Sequence, residues 1–231
     1  MVAALKIVDL ILYFCKKMIG VVILKIMQNV INHVLKSLYQ YFWGSLLLTF
    51  ILMVCYLFVY EKNESGQGIK RTLVLWFSYF RRSFDFRLLF FLVFYSSMIC
   101  FRTLLSRGLS FDPLKNVIGD WSLYDFNAVK NTVVSTYGIQ NILLFVPFSF
   151  LLLWFLNTRK NRKSIGRSLF RSCMYSFVFS LIIEFLQLIL CLGTFQVSDV
   201  AYNTLGGIIG SLLYLTGWVM ICIIKKALNK K

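Results

Sequence analysis

The chain is poor in charge, in proline and in histidine. Charged residues make up 15% of its 231 residues and only nine are acidic, where a soluble domain carries roughly 25% charged residues. Proline occurs only as Pro113 and Pro147, and histidine only as His33. So little charge beside 59% hydrophobic residues excludes a disordered chain and an enzyme with an ordinary polar surface. The lone histidine, near Asn32 and Lys36 and without an acidic neighbour, offers neither a histidine-based catalytic site nor a histidine metal site. The six cysteines, Cys15, Cys55, Cys100, Cys173, Cys191 and Cys222, form no CxxC pair and all lie in apolar stretches, where cysteine acts as a small buried hydrophobe. No phosphate loop, nucleophilic triad or HExxH run occurs, so the sequence points to no metal and no cofactor.

What is present is uncharged length. Residues 37–60, 131–158 and 200–224 hold no charged side chain over 24, 28 and 25 residues. About 20 apolar residues in a helix cross the roughly 30 Å core of a bilayer, whereas a membrane β-barrel shows short alternating segments. The fold class is therefore all-α: a polytopic helical membrane protein with about five transmembrane helices, near 41–60, 87–106, 139–157, 172–192 and 200–224, and an amphipathic N-terminal helix. The expected organisation is an amphipathic helix over 1–40, a first span over 41–60, a basic segment over 61–86 and a four-helix membrane domain over 87–225.

The net charge of +16 sits at the ends of these spans and does not read as a nucleic-acid footprint. Basic clusters occupy 61–87, 159–171 and the tail, while 107–138 holds only Arg107, Lys115 and Lys130 against Asp112, Asp120 and Asp125. The positive-inside rule then places the three clusters and the C-terminus in the cytoplasm, and 107–138 and 193–199 outside. The segment 72–80 is apolar but too short to span, and suits the inner interface. In the first 40 residues a polar stripe, including Lys6, Lys16, Lys25, Gln28, Asn32, Lys36 and Gln40, recurs with helical period. An interfacial helix fits this stripe, although its five lysines conflict with an outer location. Crossing the membrane would bury lysine at roughly 2.5–3.5 kcal/mol each. Both placements stay open.

Polar residues inside apolar spans are the informative ones, because each is costly without a partner. At about 1.5 Å per residue, Arg102 lies roughly 22 Å above Arg87 and Glu184 roughly 20 Å above Arg171. Asn203 lies about 6 Å below Asp199, and Asn141 opens its helix from the outer side. Arg102, Asn141, Glu184, Gln187, Asp199 and Asn203, from four spans, are thus expected to share one slab and to line an outward-opening polar cavity, with Arg102 pairing with Glu184. Ser180, Glu184, Gln187 and Cys191 recur on one helical face. Gly206, Gly207 and Gly210 permit close helix packing, expected against the helix of Glu184. Pro147 is expected to kink its span.

These residues fall in blocks that resemble the VanZ family: RTLLSR at 102–107 with FDPL at 111–114, NILLFVPF at 141–148, SLIIEFLQ at 180–187 and DVAYNTLGGIIG at 199–210. The family's SxxxExxQ pattern falls on Ser180, Glu184 and Gln187, its DxxxNxxG pattern on Asp199, Asn203 and Gly206, and its NxxLFxPFG pattern on Asn141, Leu144, Phe145, Pro147 and Phe148. Ser149 replaces the usual glycine, and the arginine and further aspartates common before Asp199 are missing from the 193–198 turn. The resemblance implies a multi-pass protein of the bacterial plasma membrane and a link to reduced susceptibility to teicoplanin, a lipid-bearing glycopeptide. Two functions then compete. One is binding of an amphiphile, a membrane lipid or a lipid-linked cell-wall precursor, at the outer leaflet. The other is an intramembrane enzyme acting on a lipid-linked substrate with Glu184 or Asp199 as acid or base.

The orientation is testable by cysteine accessibility in a cysteine-depleted protein. A cysteine at Lys163 is expected to resist an impermeant thiol reagent in intact cells, while one at Lys115 reacts. Labelling at Lys163 would contradict the orientation.

Overall fold

The structure, a computed structural model, describes residues 24, 27–60, 69–121, 137–159 and 165–228. Most of the expected 1–40 helix and the basic run 160–164 lie outside the described residues. Seven helices are described: α1 (residues 27–40), α2 (Phe42–Tyr60), α3 (Ile69–Arg82), α4 (Phe84–Leu105), α5 (Tyr137–Arg159), α6 (Ile165–Ile189) and α7 (Val197–Leu228). Five of them, α2 and α4 to α7, are long and apolar enough to cross a membrane. Four fall within a few residues of the expected spans, while α6 starts seven residues before its own, at Ile165, and α7 runs past its uncharged run to Lys225 and Lys226 in its last turn.

Helix α1 passes through a single turn residue, Tyr41, into α2. Its surface divides into three stripes. Val30, Val34 and Leu38 are buried, with Val34 and Leu38 in a core cluster shared with Leu92, Met98 and Ile99 of α4. Met27, Ile31 and Leu35 form an exposed apolar stripe, and Gln28, Asn32 and Lys36 an exposed polar one. A helix with one side packed on a bundle and adjoining apolar and polar sides exposed has the pattern of an element lying at a membrane surface.

The apolar segment around Trp76 lies in helix α3. Trp76 sits within ring contact of Phe50 on α2, Phe80 on α3 and Phe86 and Phe90 on α4, so α3 braces one end of the α2–α4 pair. It stops where Ser83 caps α4, its hydroxyl accepting the Phe86 N–H at 3.2 Å, the usual role of serine at a helix start.

Within the spans, side-chain hydroxyls find acceptors in their own helices. Thr49, Ser96, Thr103 and Thr204 donate to the carbonyls of Ser45, Leu92, Ile99 and Val200 at 2.7–2.8 Å. That bond hides a hydroxyl where no water can satisfy it. Helix α5 runs on through Pro147, which has no N–H to donate. Beside it, the Tyr95 hydroxyl of α4 donates to the Leu144 carbonyl at 3.0 Å.

Helix α7 is packed through its glycines on two neighbours at once. A Cβ on Gly206 or Gly210 would run into the backbone carbonyls of Ile142 and Val146 on α5, whereas one on Gly207 would lie 2.5 Å from Ser176 Cβ on α6. The Gly206–Gly210 pair thus serves α5 rather than the expected α6, because residues i and i+4 share a face that i+1 turns away from. The contact with α6 is polar as well as close. Ser211 donates to Ser172 Oγ and Asn203 to Ser180 Oγ, both at 2.8 Å.

Gly210→Ala is therefore expected to destabilise the bundle by about 1–3 kcal/mol through overpacking, read as a lowered unfolding midpoint in detergent. Gly217→Ala, where nothing lies within 4 Å, is the matched control and should be neutral or better. Equal midpoints for the two variants would contradict the α5–α7 packing.

Candidate functional site

At one end of the bundle, α4 and α6 finish and α5 and α7 begin. Two loops meet there and zip together by backbone bonds. Ser110 N–H donates to the Cys191 carbonyl (2.8 Å), Gly193 to Gly108 (3.0 Å), Phe195 to Pro113 (2.9 Å) and Val197 to Val117 (2.9 Å), with a single β-bridge between Leu109 and Leu192. Helix α6 closes with the Leu192 N–H on the Gln187 carbonyl, the Cys191 N–H on the Leu188 carbonyl, and Cys191 in a left-handed conformation at φ 53°, which is a Schellman cap. Cys191 therefore leaves the Ser180–Gln187 face on which periodicity put it. Gly193 has φ +77°, and a Cβ there would sit 2.6 Å from Arg107 Cδ, so both the turn and the neighbour demand glycine.

This closure delivers Arg107 to Asp199. The guanidinium Nη2 donates to Asp199 Oδ2 at 2.6 Å and Nη1 to the Thr194 carbonyl at 3.3 Å. Asn141 of α5 donates to the other carboxylate oxygen, Oδ1, at 2.8 Å. Asp199 lies in the first turn of α7, where the helix dipole favours a carboxylate. One acidic side chain thereby ties together α5, α7 and the loop after α4.

Beside this tie is a cavity of about 500 Å³, lined by Arg102, Thr103, Ser106 and Arg107, by Asn116 and Asp120 of the loop, by Gly138, Gln140 and Asn141 of α5, and by Gln196, Asp199 and Tyr202. Arg102 donates from Nε to Ser37 of α1 at 2.8 Å and from Nη2 to Gln140 at 2.9 Å. Its side-chain partners are thus neutral, while Arg107 and Asp199 neutralise each other. The guanidinium has five N–H donors in a planar fork, so the two bonds leave donors for a ligand, and that fork suits phosphate or carboxylate.

The six residues singled out in the sequence divide. Arg102, Asn141 and Asp199 line the cavity. Glu184, Gln187 and Asn203 are buried beneath it and tie the helices. Glu184, 1% exposed, accepts the Gln196 N–H at 2.9 Å just before α7 begins. Gln187 donates to the Thr103 carbonyl of α4 at 2.9 Å, and Asn203 bonds Ser180. The expected Arg102–Glu184 pair does not form: Arg102 turns to Ser37 and Gln140, and the ion pair is made by Arg107 instead. Arg107, Gln140, Tyr202 and Ser37 were not anticipated as site residues. Arg107 carried one signal, its place in the RTLLSR block, but only the folded loops show where it points. Among the described residues, no group of histidine, cysteine, aspartate and glutamate side chains could hold a metal.

The Arg107–Asp199 pair is partly buried, with side-chain exposures of 28% and 9%. Asp199→Asn and Arg107→Gln should each lower stability, and the double variant should lose less than their sum. A coupling of about 1 kcal/mol or more is expected from a thermal double-mutant cycle, since contacting charged residues couple by roughly 0.5–3 kcal/mol. Additive losses would contradict the pairing.

The folded arrangement can be set against known proteins. No curated protein and no solved structure matches the chain. The family model described as VanZ/LLP1 matches residues 16–222, well beyond the 102–210 stretch of the motif blocks and across every membrane-length helix. With its five membrane-length helices, the chain is a multi-pass membrane protein that belongs to the VanZ/LLP1 family.

Proposed function

We propose that the protein holds the polar head of an amphiphile, a membrane lipid or a lipid-linked cell-wall precursor, at the outer leaflet of a bacterial plasma membrane, its C-terminus cytoplasmic. By occupying or displacing such molecules it lowers the access of lipidated glycopeptides such as teicoplanin to their target. The carrying observation is the cavity of about 500 Å³ in which the Arg102 charge has only neutral side-chain partners. Its size falls in the range of small-ligand sites, about 300–1,000 Å³. Arg102 suits an anionic group, and Gln140, Asn116 and Tyr202 suit hydroxyl or amide groups around it. The basic clusters put this end of the bundle outside by the positive-inside rule, where wall precursors and lipoglycopeptides meet.

Geometry favours binding over the acid–base reading. Glu184 is outside the cavity lining and is committed to the Gln196 N–H. Both carboxylate oxygens of Asp199 already accept side-chain donors, so the carboxylate is committed to the tie between α5, α7 and the loop.

The test is teicoplanin susceptibility in a host that expresses the protein, with variants matched for protein level. Arg102→Gln should abolish the effect of the protein, and Arg102→Lys should keep part of it. Glu184→Gln retains an acceptor for the Gln196 N–H and should keep the effect, with cell lipid composition unchanged by mass spectrometry. Loss with Glu184→Gln together with a changed lipid profile would favour the enzyme. No effect of Arg102→Gln would refute the binding reading.

A further inference from the structure

A second cavity, of about 490 Å³, lies on the flank of the bundle between α2, α4, α5 and α6. Its walls are almost wholly apolar, from Leu52, Leu92, Phe148, Phe179 and Ile182 among others. It sits in the membrane-length part of all four helices, so its open side faces hydrocarbon.

The two cavities approach each other along one stripe of α4. Ser96 and Cys100 line the apolar groove and Thr103 lines the polar cavity. These positions are spaced i, i+4 and i+7, hence on one helical face, and Cys100 is only about 4.5 Å of helix rise from Thr103. At that junction Gln187 reaches across from α6 to the Thr103 carbonyl. Its own carbonyl oxygen is buried and has no hydrogen-bond partner, although Gln187 is only 1% exposed. A buried acceptor without a donor is destabilising, and a head-group hydroxyl reaching that point would satisfy it.

We infer that the polar cavity and the apolar groove form one site for an anionic phospholipid, its phosphate head on Arg102 and one acyl chain in the groove. This rests on the head-binding reading above and adds the chain. Charge and length both select the occupant. The head half carries Arg102, whose side-chain hydrogen-bond partners are neutral, beside Asp120 and the mutually paired Arg107 and Asp199. The groove extends along α4 from Cys100 to Leu92, about 12 Å, close to the half-thickness of a bilayer core of about 30 Å. An acyl chain of one leaflet fits that length, whereas a long polyprenyl chain would overrun it.

The experiment uses the full-length protein in phosphatidylcholine nanodiscs doped with phosphatidylglycerol that carries a photoreactive diazirine midway along one acyl chain. Cross-linked peptides are mapped by mass spectrometry. Labelling is expected to concentrate on the α4 segment 92–100 and the α6 segment 175–182, and to fall at least fivefold in Arg102→Gln, which leaves the groove intact. Diazirine-bearing phosphatidylcholine should label these segments no more than other lipid-facing helix surfaces. Cys100→Trp, which fills the groove, should reduce groove labelling and leave protection of Arg102 from an arginine-modifying reagent by soluble glycerophosphate unchanged. Thermal unfolding verifies that each variant is folded, and the comparison of the two lipids on the unaltered protein decides the question if Arg102→Gln is not. Equal groove labelling in wild type and Arg102→Gln, or by the two lipids, would overturn the joined site and reduce the groove to ordinary lipid contact. If glycerophosphate still protects Arg102 in that case, head binding stands alone; if it does not, the head-binding reading falls too.

Discussion

A carboxylate placed inside a membrane bundle must be matched by donors, and Asp199 is the point at which this protein meets that demand. One oxygen takes Arg107 and the other Asn141, and the dipole of α7 adds a favourable field. An unpaired buried charge would cost several kcal/mol, so the bundle end closes only when both donors arrive. Arg107 lies beyond the end of α4 and reaches Asp199 because the 107–117 loop zips onto the 190–197 turn. That zip in turn needs the left-handed Gly193, which leaves room for the arginine stem. The cavity beside Asp199 is the space left when α5, α7 and that loop are held by a single acid.

The same requirement, that polar atoms in the spans be satisfied by protein, organises the rest. Several hydroxyls, among them those of Thr49, Ser96, Thr103 and Thr204, bond back to their own helices. The seam between α6 and α7 is a series of short polar contacts, Ser172 with Ser211, Ser180 with Asn203 and Glu184 with the Gln196 N–H. Such contacts are worth only about 0.6 kcal/mol each on average, and their role is to select one register of two helices that hydrophobicity alone leaves free to slide. Glycine at 207 lets the two backbones come near enough for these short side chains to meet.

Spans were legible in the sequence because a run without charge is a one-dimensional signal. Depth along a helix was legible too, which is why counting residues brought Arg102, Asn141 and Asp199 to one end. Rotation about the helix axis and the path of loops were not. Depth alone could not separate Glu184, turned toward the start of α7, from Arg102, turned toward α1 and α5. Adjacency in sequence suggested contact with the hairpin neighbour, and α6 does meet the Gly207 face as expected, whereas Gly206 and Gly210, also assigned there, turn to α5. Arg107 gains its importance from the loops and Ser37 from the packing of α1 on α4, neither of which the periodicity reveals.

Three polar anchors, Arg102, Asn141 and Asp199, thus stand at the mouth of an apolar bundle, while Glu184, Gln187 and Asn203 hold its walls in register. A site with a cationic donor at its rim and hydrocarbon below suits a molecule with the same division of character. The most direct test of the central claim is an experimental structure in lipid nanodiscs. The account predicts Asp199 within hydrogen-bond distance of both Arg107 and Asn141, with head-group density against Arg102. An Asp199 carboxylate separated from Arg107, or a cavity filled by protein side chains, would contradict it.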